Sequence, residues 1–236
     1  MRSLVILTAL LTTAALADTP TENWAESLKL PKTETAVKLF NGKDLTGWEG
    51  QIEKYWSVND GAIRGTNTTP VAASTYLFTK ESYRDFRLLL EVKQTRGGKF
   101  STMHSAVGVL GEKIEDHGDT FSFRGPLLMF CNDWGVWDAN RRNRVFPPAH
   151  GGQWQQAQEK VGDWNRIEIL VIGDRIRMAL NGVRLMDFTD KPDMLKASPI
   201  GLQLHANNQP QEYHFRGLLL TQKPEEQLVT VEFGAK

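Results

Sequence analysis

The fold is decided by residues 163–190, which read DWNRIEILVIGDRIRMALNGVRLMDFTD. Three apolar runs are separated by two turn signals, Gly173-Asp174 and Asn181-Gly182. The second signal is the stronger, because a two-residue type I′ turn needs residues that tolerate positive φ. Apolar and polar residues alternate in the first two runs, which is the period of half-buried antiparallel strands. The stretch therefore predicts adjacent hairpins whose apolar face needs a second sheet to cover it.

Short apolar runs bounded by turn residues recur along the remainder of the chain. They predict strands at 37–40, 55–58, 62–65, 76–79, 84–93, 103–110, 121–131, 199–206 and 213–221, with a break at Gly125-Pro126, a charged loop at 112–119 and one weak helical turn at 24–28. Ten or more short strands in a chain of 236 residues favour one all-β domain, a jelly-roll β-sandwich.

The two ends of the chain are expected to lie outside this domain. Arg2 is followed by an uncharged apolar run and by Ala15-Leu16-Ala17, a small-x-small cleavage pattern. That run is too short for a stable membrane span, so we expect a cleaved signal peptide and a periplasmic or secreted protein. The expected organisation is a signal peptide at 1–17 cleaved near Ala17, a linker at 18–36, one domain at 37–221 and a tail at 222–236 holding a candidate edge strand.

Charge and cysteine content exclude several classes of protein. Lys plus Arg and Asp plus Glu are balanced at 28 each, which does not suit a nucleic-acid partner. Cys131 is the only cysteine of the sequence, so no internal disulfide can form, and no cysteine follows the signal to carry a lipid. An exported protein of this kind has to be stabilised by its own apolar core.

Six motifs in order carry a likeness to a known family. They are LFNGKDLTGW at 39–48, WSVNDGAI at 56–63, Asp-Trp-Asn at 163–165, Asn-Gly at 181–182, LQLH at 202–205 and Phe-Arg at 215–216. In this set the chain resembles the 3-keto-disaccharide hydrolase domain, over roughly residues 37–221. The resemblance implies a sandwich of the concanavalin A-like, laminin-G-like type. It also implies cleavage of glycosides whose sugar has been oxidised to a 3-ketone.

The implied reaction uses the acidity that a C3 carbonyl confers on the C2 proton. A base removes this proton, an enolate forms, the C1 substituent leaves, and water then adds. Such a site needs a base that titrates near pH 7, a positive or metallic partner for the enolate oxygen, and a proton donor for the leaving group. The expected partners are an oxidised di- or oligosaccharide and a sugar 3-dehydrogenase that makes the ketone.

Two positions depart from the family pattern. The chain reads His-Ser-Ala at 104–106 where the family often has Asn-Ser-Gly, and Leu-Leu-Met at 127–129 where a Glu-x-Gln pattern is expected. The second departure removes a carboxylate and an amide. It favours the alternative function, a lectin-like carbohydrate-binding module without catalysis.

Gln203 and His205 lie two positions apart on a predicted strand, with Leu202 and Leu204 on either side of Gln203. On a strand the two polar residues share one face, while the leucines point to the core. We expect Gln203 to bind sugar hydroxyls and His205 to act as a base or metal ligand. The alternative is a polar pair that faces solvent.

The irregular stretch at 132–158 is rich in Trp, Arg, Asn and Gly, and long irregular segments often carry function. Indole faces stack on sugar rings, while acids and arginines bind hydroxyls, carboxylates or an enolate. The candidates are Asp133 and Asp138 as catalytic acids, and Trp134, Trp137, Trp154, Arg142, Arg144 and His150 as substrate-binding residues. The alternative is a surface loop pinned by tryptophans, with its charges solvated or paired.

A divalent metal is the one cofactor that these residues suggest. His104 is a candidate catalytic residue, and an ordinary core histidine is its alternative. With His150, His205 and Asp133 it could form a metal site if the fold brought them together, but no short-range ligand spacing supports one. The acids at 115–119 have a loop pattern, so calcium binding or direct glycosidase chemistry there are weaker alternatives.

Overall fold

The computed structural model describes residues 23–97, 105–130, 135–146, 159–191 and 194–231. These ranges contain sixteen strands and two one-turn helices, α1 (Trp24–Ser27) and α2 (Ile52–Tyr55). The strands are β1 (Ala36–Lys38), β2 (Trp48–Glu49), β3 (Trp56–Asn59), β4 (Ala62–Asn67), β5 (Thr75–Thr79), β6 (Phe86–Gly97), β7 (Ala106–Gly108), β8 (Glu112–Asp116), β9 (Asp119–Met129), β10 (Val136–Ala139), β11 (Val145–Phe146), β12 (Asn165–Ile172), β13 (Arg175–Leu180), β14 (Val183–Thr189), β15 (Gly201–Leu204) and β16 (Gln211–Gln222).

The strands form two antiparallel sheets. The first sheet has the order β14-β13-β12-β6-β16-β4-β3, with β1 paired to β16. The second sheet has the order β11-β10-β9-β7-β15-β5-β2, with β8 paired to β9. Several neighbours in these orders, such as β6 and β16 or β15 and β5, are distant in sequence, as expected for a jelly roll, and the predicted all-β sandwich is confirmed. In the described part of the chain, no helix is long and apolar enough to cross a membrane.

The hairpins predicted at 163–190 are β12, β13 and β14 at one end of the first sheet. Asn181 and Gly182 adopt φ values of 49° and 86°, the two positive values that a type I′ turn requires. Ile169 pairs with Met178 across the β12–β13 ladder, and both side chains are fully buried. Local turn chemistry and alternation therefore specify this part of the fold correctly.

The core lies between the two sheets. Leu88 and Leu90 of β6 belong to the same buried cluster as Leu77 of β5 and Leu202 of β15, which come from the opposite sheet. Each such side chain contributes about 1.5–3 kcal/mol on burial. Because side chains alternate along a strand, the residues between these leucines point away from the core. On the second sheet these outward-facing residues form what is here called the cleft face.

The segment at 18–36, expected to be a linker, packs on the sandwich from residue 23 onward. Ala25 of α1 is buried against Leu89 and Leu219 on the outer face of the first sheet. Farther along, the Glu34 carboxylate accepts hydrogen bonds from Arg87 Nη2 at 2.8 Å and Arg87 Nε at 3.0 Å. The segment thus covers the first sheet and contributes an ionic contact to it.

The tail covers the same outer face, but its described part, up to 231, forms no edge strand. Instead, Val229 N and Thr230 N donate to the Glu168 carboxylate at 3.0 and 2.9 Å. Arg87 completes this network, because it pairs with Glu168 and donates to the backbone carbonyl of Gln227. The candidate edge strand was wrong over this range, since buried carboxylates rather than a strand ladder satisfy the tail's backbone donors.

Two local predictions on the second sheet were also wrong. The charged stretch at 112–119 is the β8–β9 hairpin, turned by His117 and Gly118 with φ values of 48° and 78°. Its exposed charged residues resemble a loop in the sequence, although β8 pairs with β9 along most of its length. Strand β9 continues through Gly125 and Pro126, because Gly125 adopts a φ of 140° and Pro126 still accepts a hydrogen bond from Val109 N.

Candidate functional site

A cleft of about 180 Å³ opens on the cleft face of the second sheet. Strand register explains which residues line it. Gln203 of β15 pairs with Tyr76 of β5, and Trp137 of β10 pairs with Leu127 of β9. Paired residues share a face, so these four side chains project from the same side of the sheet. The cleft therefore has a polar side on β5 and β15 and an apolar side on β9 and β10.

Gln203 is the central polar residue of the cleft and is only 2% exposed. Its Nε2 donates a 2.9 Å hydrogen bond to Tyr76 Oη. Its Oε1 has no hydrogen-bond partner among the described residues. Leu202 and Leu204 on either side are fully buried, which is the strand orientation that the sequence predicts. A buried amide oxygen of this kind is costly unless a ligand or water satisfies it.

His205 follows the end of β15 and is half-buried in the same cleft. The peptide group that follows it is held at both its carbonyl and its N–H. The His205 carbonyl accepts a 2.5 Å hydrogen bond from Gln211 Nε2, and Ala206 N donates to Ser74 Oγ at 3.0 Å. The imidazole and the Gln203 amide are thus placed together by one strand end.

Tyr76 is a site residue that the sequence interpretation missed. Its side chain is 1% exposed, and its ring packs on Phe78 and Phe123 with centroid distances of 5.5 and 5.6 Å. Burial raises the pKa of the Tyr76 phenol far above its ordinary value, so the hydroxyl keeps its proton at any working pH. No local pattern marks Tyr76, because its partner Gln203 is 127 positions away.

The apolar side of the cleft consists mainly of Leu127, Met129 and Trp137. Leu127 and Met129 are 3% and 2% exposed, and they occupy the two positions where the resemblance implied Glu and Gln. Trp137 is half-buried and offers an indole surface of the kind that stacks on sugar rings. The departure seen in the sequence therefore lies within the cleft itself.

Asp116 brings a carboxylate to the same cleft. It is the last residue of β8, and the two-residue turn at His117 and Gly118 fixes its position. Asp116 Oδ1 lies 2.7 Å from His117 Nδ1. The sequence interpretation assigned this acid to a loop. The His-Gly pair at 117–118 is the signal that could have indicated a hairpin with Asp116 at the end of its first strand.

Most of the chain matches one known family. Residues 35–221 match the 3-keto-alpha-glucoside-1,2-lyase-like domain. The chain belongs to this family. The match confirms the family that the sequence motifs indicated and gives the protein a carbohydrate-related function. No curated protein matches the sequence.

Solved structures similar to this member of the 3-keto-alpha-glucoside-1,2-lyase-like family share its fold. A candidate glycosyl hydrolase from Parabacteroides distasonis is 20% identical, with a TM-score of 0.53 over 79% of this chain and 93% of that chain. The carbohydrate-binding module CBM66 from Bacillus subtilis is 14% identical, with a TM-score of 0.50 over 73% and 93%. The Emp47p carbohydrate recognition domain is 11% identical, with a TM-score of 0.50 over 80% and 95%. At these identities the likeness establishes the lectin-like sandwich fold alone.

Asp138 and Arg142, which were expected to act on the sugar, lie outside the cleft. Asp138 is fully buried on the face of β10 opposite to Trp137. It accepts a 2.7 Å hydrogen bond from Arg141 Nε and also pairs with Arg142. Arg142 in turn holds Asp190 through two bonds of 2.8 and 2.6 Å. These bonds raise the pKa of the Arg142 guanidinium, with the Asp190 bond as the largest cause.

The physical reason for this placement is the two-residue period of β10. Trp137 and Asp138 are adjacent, so only one of them can face the cleft. Asp138 instead binds Arg141 and Arg142 in the turn after β10, and Arg142 links this turn to Asp190, which follows β14. Arg144 is exposed and does not line the cleft.

Five expected site residues lie outside the described residues. They are His104, Asp133, Trp134, His150 and Trp154. In the described ranges, no group of three or more His, Cys, Asp or Glu side chains could hold a metal ion. The expected metal site therefore remains a prediction, and of its four candidate ligands the structure describes His205.

Proposed function

We propose that this protein binds a 3-keto-glycoside in the cleft and cleaves it. Cleavage proceeds by C2 proton abstraction, loss of the C1 substituent and addition of water. The observation that best supports this proposal is the joint presence of His205 and the hydrogen-bonded pair Gln203–Tyr76 in one cleft of a member of this family. One ligand in this cleft could therefore contact a candidate base, His205, and the polar groups of Gln203 and Tyr76.

The shape of the cleft supports a small ligand. Its volume of about 180 Å³ is below the 300–1,000 Å³ range that is usual for drug-sized ligands. One sugar ring would fill it, so the group attached at C1 would extend towards solvent. In the proposed complex, the apolar face of the ring packs on Trp137, while Gln203 and Asp116 accept hydrogen bonds from ring hydroxyls.

His205 is the proposed base. Histidine is the side chain whose ordinary titration lies closest to neutral pH, which suits a base that must accept and return a proton. The C2 proton is acidic because the C3 ketone delocalises the resulting charge. His205 returns a proton to the departing oxygen at C1, so one residue serves both half-steps.

The proposed reaction takes place outside the cytoplasm on a sugar that another enzyme has oxidised. The signal-peptide pattern at 1–17 supports export, which would place the protein in the periplasm or outside the cell. A sugar 3-dehydrogenase would supply the ketone. In the alternative in which His205 is a metal ligand and not the base, a divalent metal would act as a Lewis acid at the ketone oxygen.

The test is mass spectrometry of a panel of 3-keto-disaccharides incubated with the purified protein, with and without a chelator. Cleavage in both tubes supports a metal-independent reaction with His205 as base. Cleavage that stops with chelator and returns with added metal assigns His205 to a metal site. Intact substrate in every tube, with a folded protein, contradicts the proposed activity.

A second function is favoured by one specific observation. Leu127 and Met129 lie in the cleft at the two positions where the resemblance implied Glu and Gln, so neither position supplies a carboxylate or an amide for catalysis. The alternative proposal is a non-catalytic carbohydrate-binding module. It predicts saturable binding of the 3-keto sugar by calorimetry without formation of any product.

A further inference from the structure

We propose that the Tyr76 hydroxyl holds the ketone oxygen of the bound sugar and the enolate oxygen that forms from it. This inference rests on the proposed function and adds a catalytic residue to it. The sequence interpretation assigned the enolate oxygen to an arginine or a metal. Among the described residues that line the cleft, none is a lysine or arginine, and Arg142 is held by two aspartates elsewhere.

The hydrogen bond between Gln203 and Tyr76 sets the direction of the hydroxyl. A tyrosine hydroxyl has one O–H donor and also accepts hydrogen bonds. Gln203 Nε2 is a donor, so at 2.9 Å it must use the acceptor side of Tyr76 Oη. The O–H is thereby left to donate in another direction, and both residues line the cleft.

Gln203 adds an acceptor beside this donor. Its Oε1 is buried and has no partner in the described part of the chain. The pair therefore presents one O–H donor and one amide acceptor side by side. That arrangement matches a ketone flanked by a hydroxyl, because the C3 carbonyl accepts from Tyr76 while a neighbouring hydroxyl donates to Gln203. A fully hydroxylated sugar carbon can also be bound, but only the ketone develops negative charge there.

The position of the donor is rigid. The Tyr76 ring is stacked on Phe78 and tilted against Phe123. Gly201 allows this packing, because a Cβ at residue 201 would lie 2.7 Å from the Phe78 ring and 3.1 Å from the Tyr76 ring. A donor held in a buried site needs no reorganisation when charge develops, which is why such groups stabilise oxyanions strongly.

Burial also determines the chemical role of the phenol. The raised pKa of Tyr76 means that the hydroxyl donates a hydrogen bond to the enolate and does not release its proton. This agrees with the geometry, in which Tyr76 stabilises charge while His205 moves the proton.

The His205 imidazole takes the C2 proton, the C–H electron pair becomes the C2=C3 double bond, and the carbonyl π pair moves onto O3. The pair on O3 then re-forms the C3 carbonyl, the C2=C3 pair shifts to C1=C2, and the C1–O bond breaks. The departing oxygen keeps the bonding pair and takes the proton from the imidazolium. Water then adds to C1 as His205 takes its proton, which regenerates the enolate that Tyr76 holds at O3, and the carbonyl is restored when His205 delivers this proton to C2.

The experiment isolates enolisation from cleavage. The probe is 1,5-anhydroglucitol oxidised at C3, which has a C2 proton but no leaving group at C1. Exchange of its C2 proton in D₂O is followed by NMR, and its binding is measured by calorimetry. For Tyr76→Phe we expect exchange to fall about 100-fold, as for loss of one oxyanion donor, with binding little changed. Tyr55→Phe, which removes a buried phenol outside the cleft, should exchange like wild type.

Each outcome separates this inference from the proposed function. If wild type and Tyr76→Phe exchange the C2 proton at equal rates, the role of Tyr76 is overturned and the proposed function stands. Binding without exchange by wild type would overturn both. A site-specific 3-fluorotyrosine at position 76 keeps the ring shape and the donor, so it should restore exchange. Slow exchange in that variant, with normal binding, would show that the phenylalanine effect came from packing.

Discussion

Gln203 Nε2 and Tyr76 Oη form a 2.9 Å hydrogen bond across the β15–β5 ladder, although the two residues are 127 positions apart in sequence. This bond joins a residue that carries a family motif to one that no motif marks. It places an amide oxygen and a phenolic O–H in the same cleft as His205. The cleft is therefore a property of strand pairing and not of any one segment.

Replacement of His205 by Ala should abolish cleavage without unfolding the protein. Loss of a general base costs about 10²- to 10⁴-fold in rate. The matched control is His214→Gln, because His214 lies on β16 of the opposite sheet and contacts Glu212. Rates are measured on a 3-keto-disaccharide, with circular dichroism as the check on folding. Cleavage by His205→Ala at the control's rate would remove His205 from the mechanism.

Trp137→Ala should weaken binding of the sugar. Loss of an aromatic stacking partner costs about 1 kcal/mol, which is roughly a fivefold rise in Kd. Trp164→Ala is the control, since Trp164 stacks on Arg216 at 4.0 Å and does not line the cleft. Calorimetric titration with the non-cleavable ketone compares the two variants. Equal affinities would mean that the sugar does not contact Trp137.

Protonation of Glu212 should make the protein less stable in acid. Hydrogen bonding from Arg64 is the main cause that lowers the pKa of Glu212 to about 2, with His214 and Thr95 contributing, against an ordinary value of 4.5. A carboxyl whose pKa is depressed on folding stabilises the protein above pH 4.5. That contribution, about 3 kcal/mol at most, is lost as the pH falls from 4.5 to 2.

The measurement is the free energy of unfolding in urea between pH 5 and pH 2. Glu212→Gln should be less stable than wild type at pH 5, and the difference should shrink towards pH 2. Glu115→Gln, at an exposed position, should follow wild type throughout. A constant difference between Glu212→Gln and wild type would show that Glu212 titrates normally.

Arg87→Met should destabilise the sandwich strongly. Arg87 is fully buried and pairs with the buried Glu34 and Glu168 carboxylates. Removing one partner of a buried ionic network leaves uncompensated charge and costs about 3–5 kcal/mol. Because Glu168 also binds Val229 and Thr230, the tail should become sensitive to protease in this variant.

The control for Arg87 is Arg175→Met, which breaks the surface pair with Asp187. An exposed pair of this kind contributes less than about 1 kcal/mol. Urea denaturation measures both variants. A loss for Arg87→Met as small as that of the control would mean that the network is solvated rather than buried.

Local chemistry determined the hairpins and the orientation of β15. Asn181-Gly182 specifies its turn through two residues that accept positive φ, and alternation at 202–205 directs the leucines to the core and Gln203 to the opposite face. These features depend on neighbours within a few positions, so the sequence predicts them. The fold class and the family follow from the same kind of pattern.

Only the tertiary structure decided which residues meet in the cleft. Trp137 and Asp138 were equal candidates, and the register of β10 against β9 directs Trp137 to the cleft and Asp138 to Arg141 and Arg142. Tyr76 reaches the cleft because β5 pairs with the distant strand β15. Asp116 reaches it through the β8–β9 hairpin, whose charged residues resemble a loop in the sequence. Sequence patterns report which way a side chain points relative to its own strand. The identity of the strand beside it depends on burial of the whole core, and that is decided by the fold.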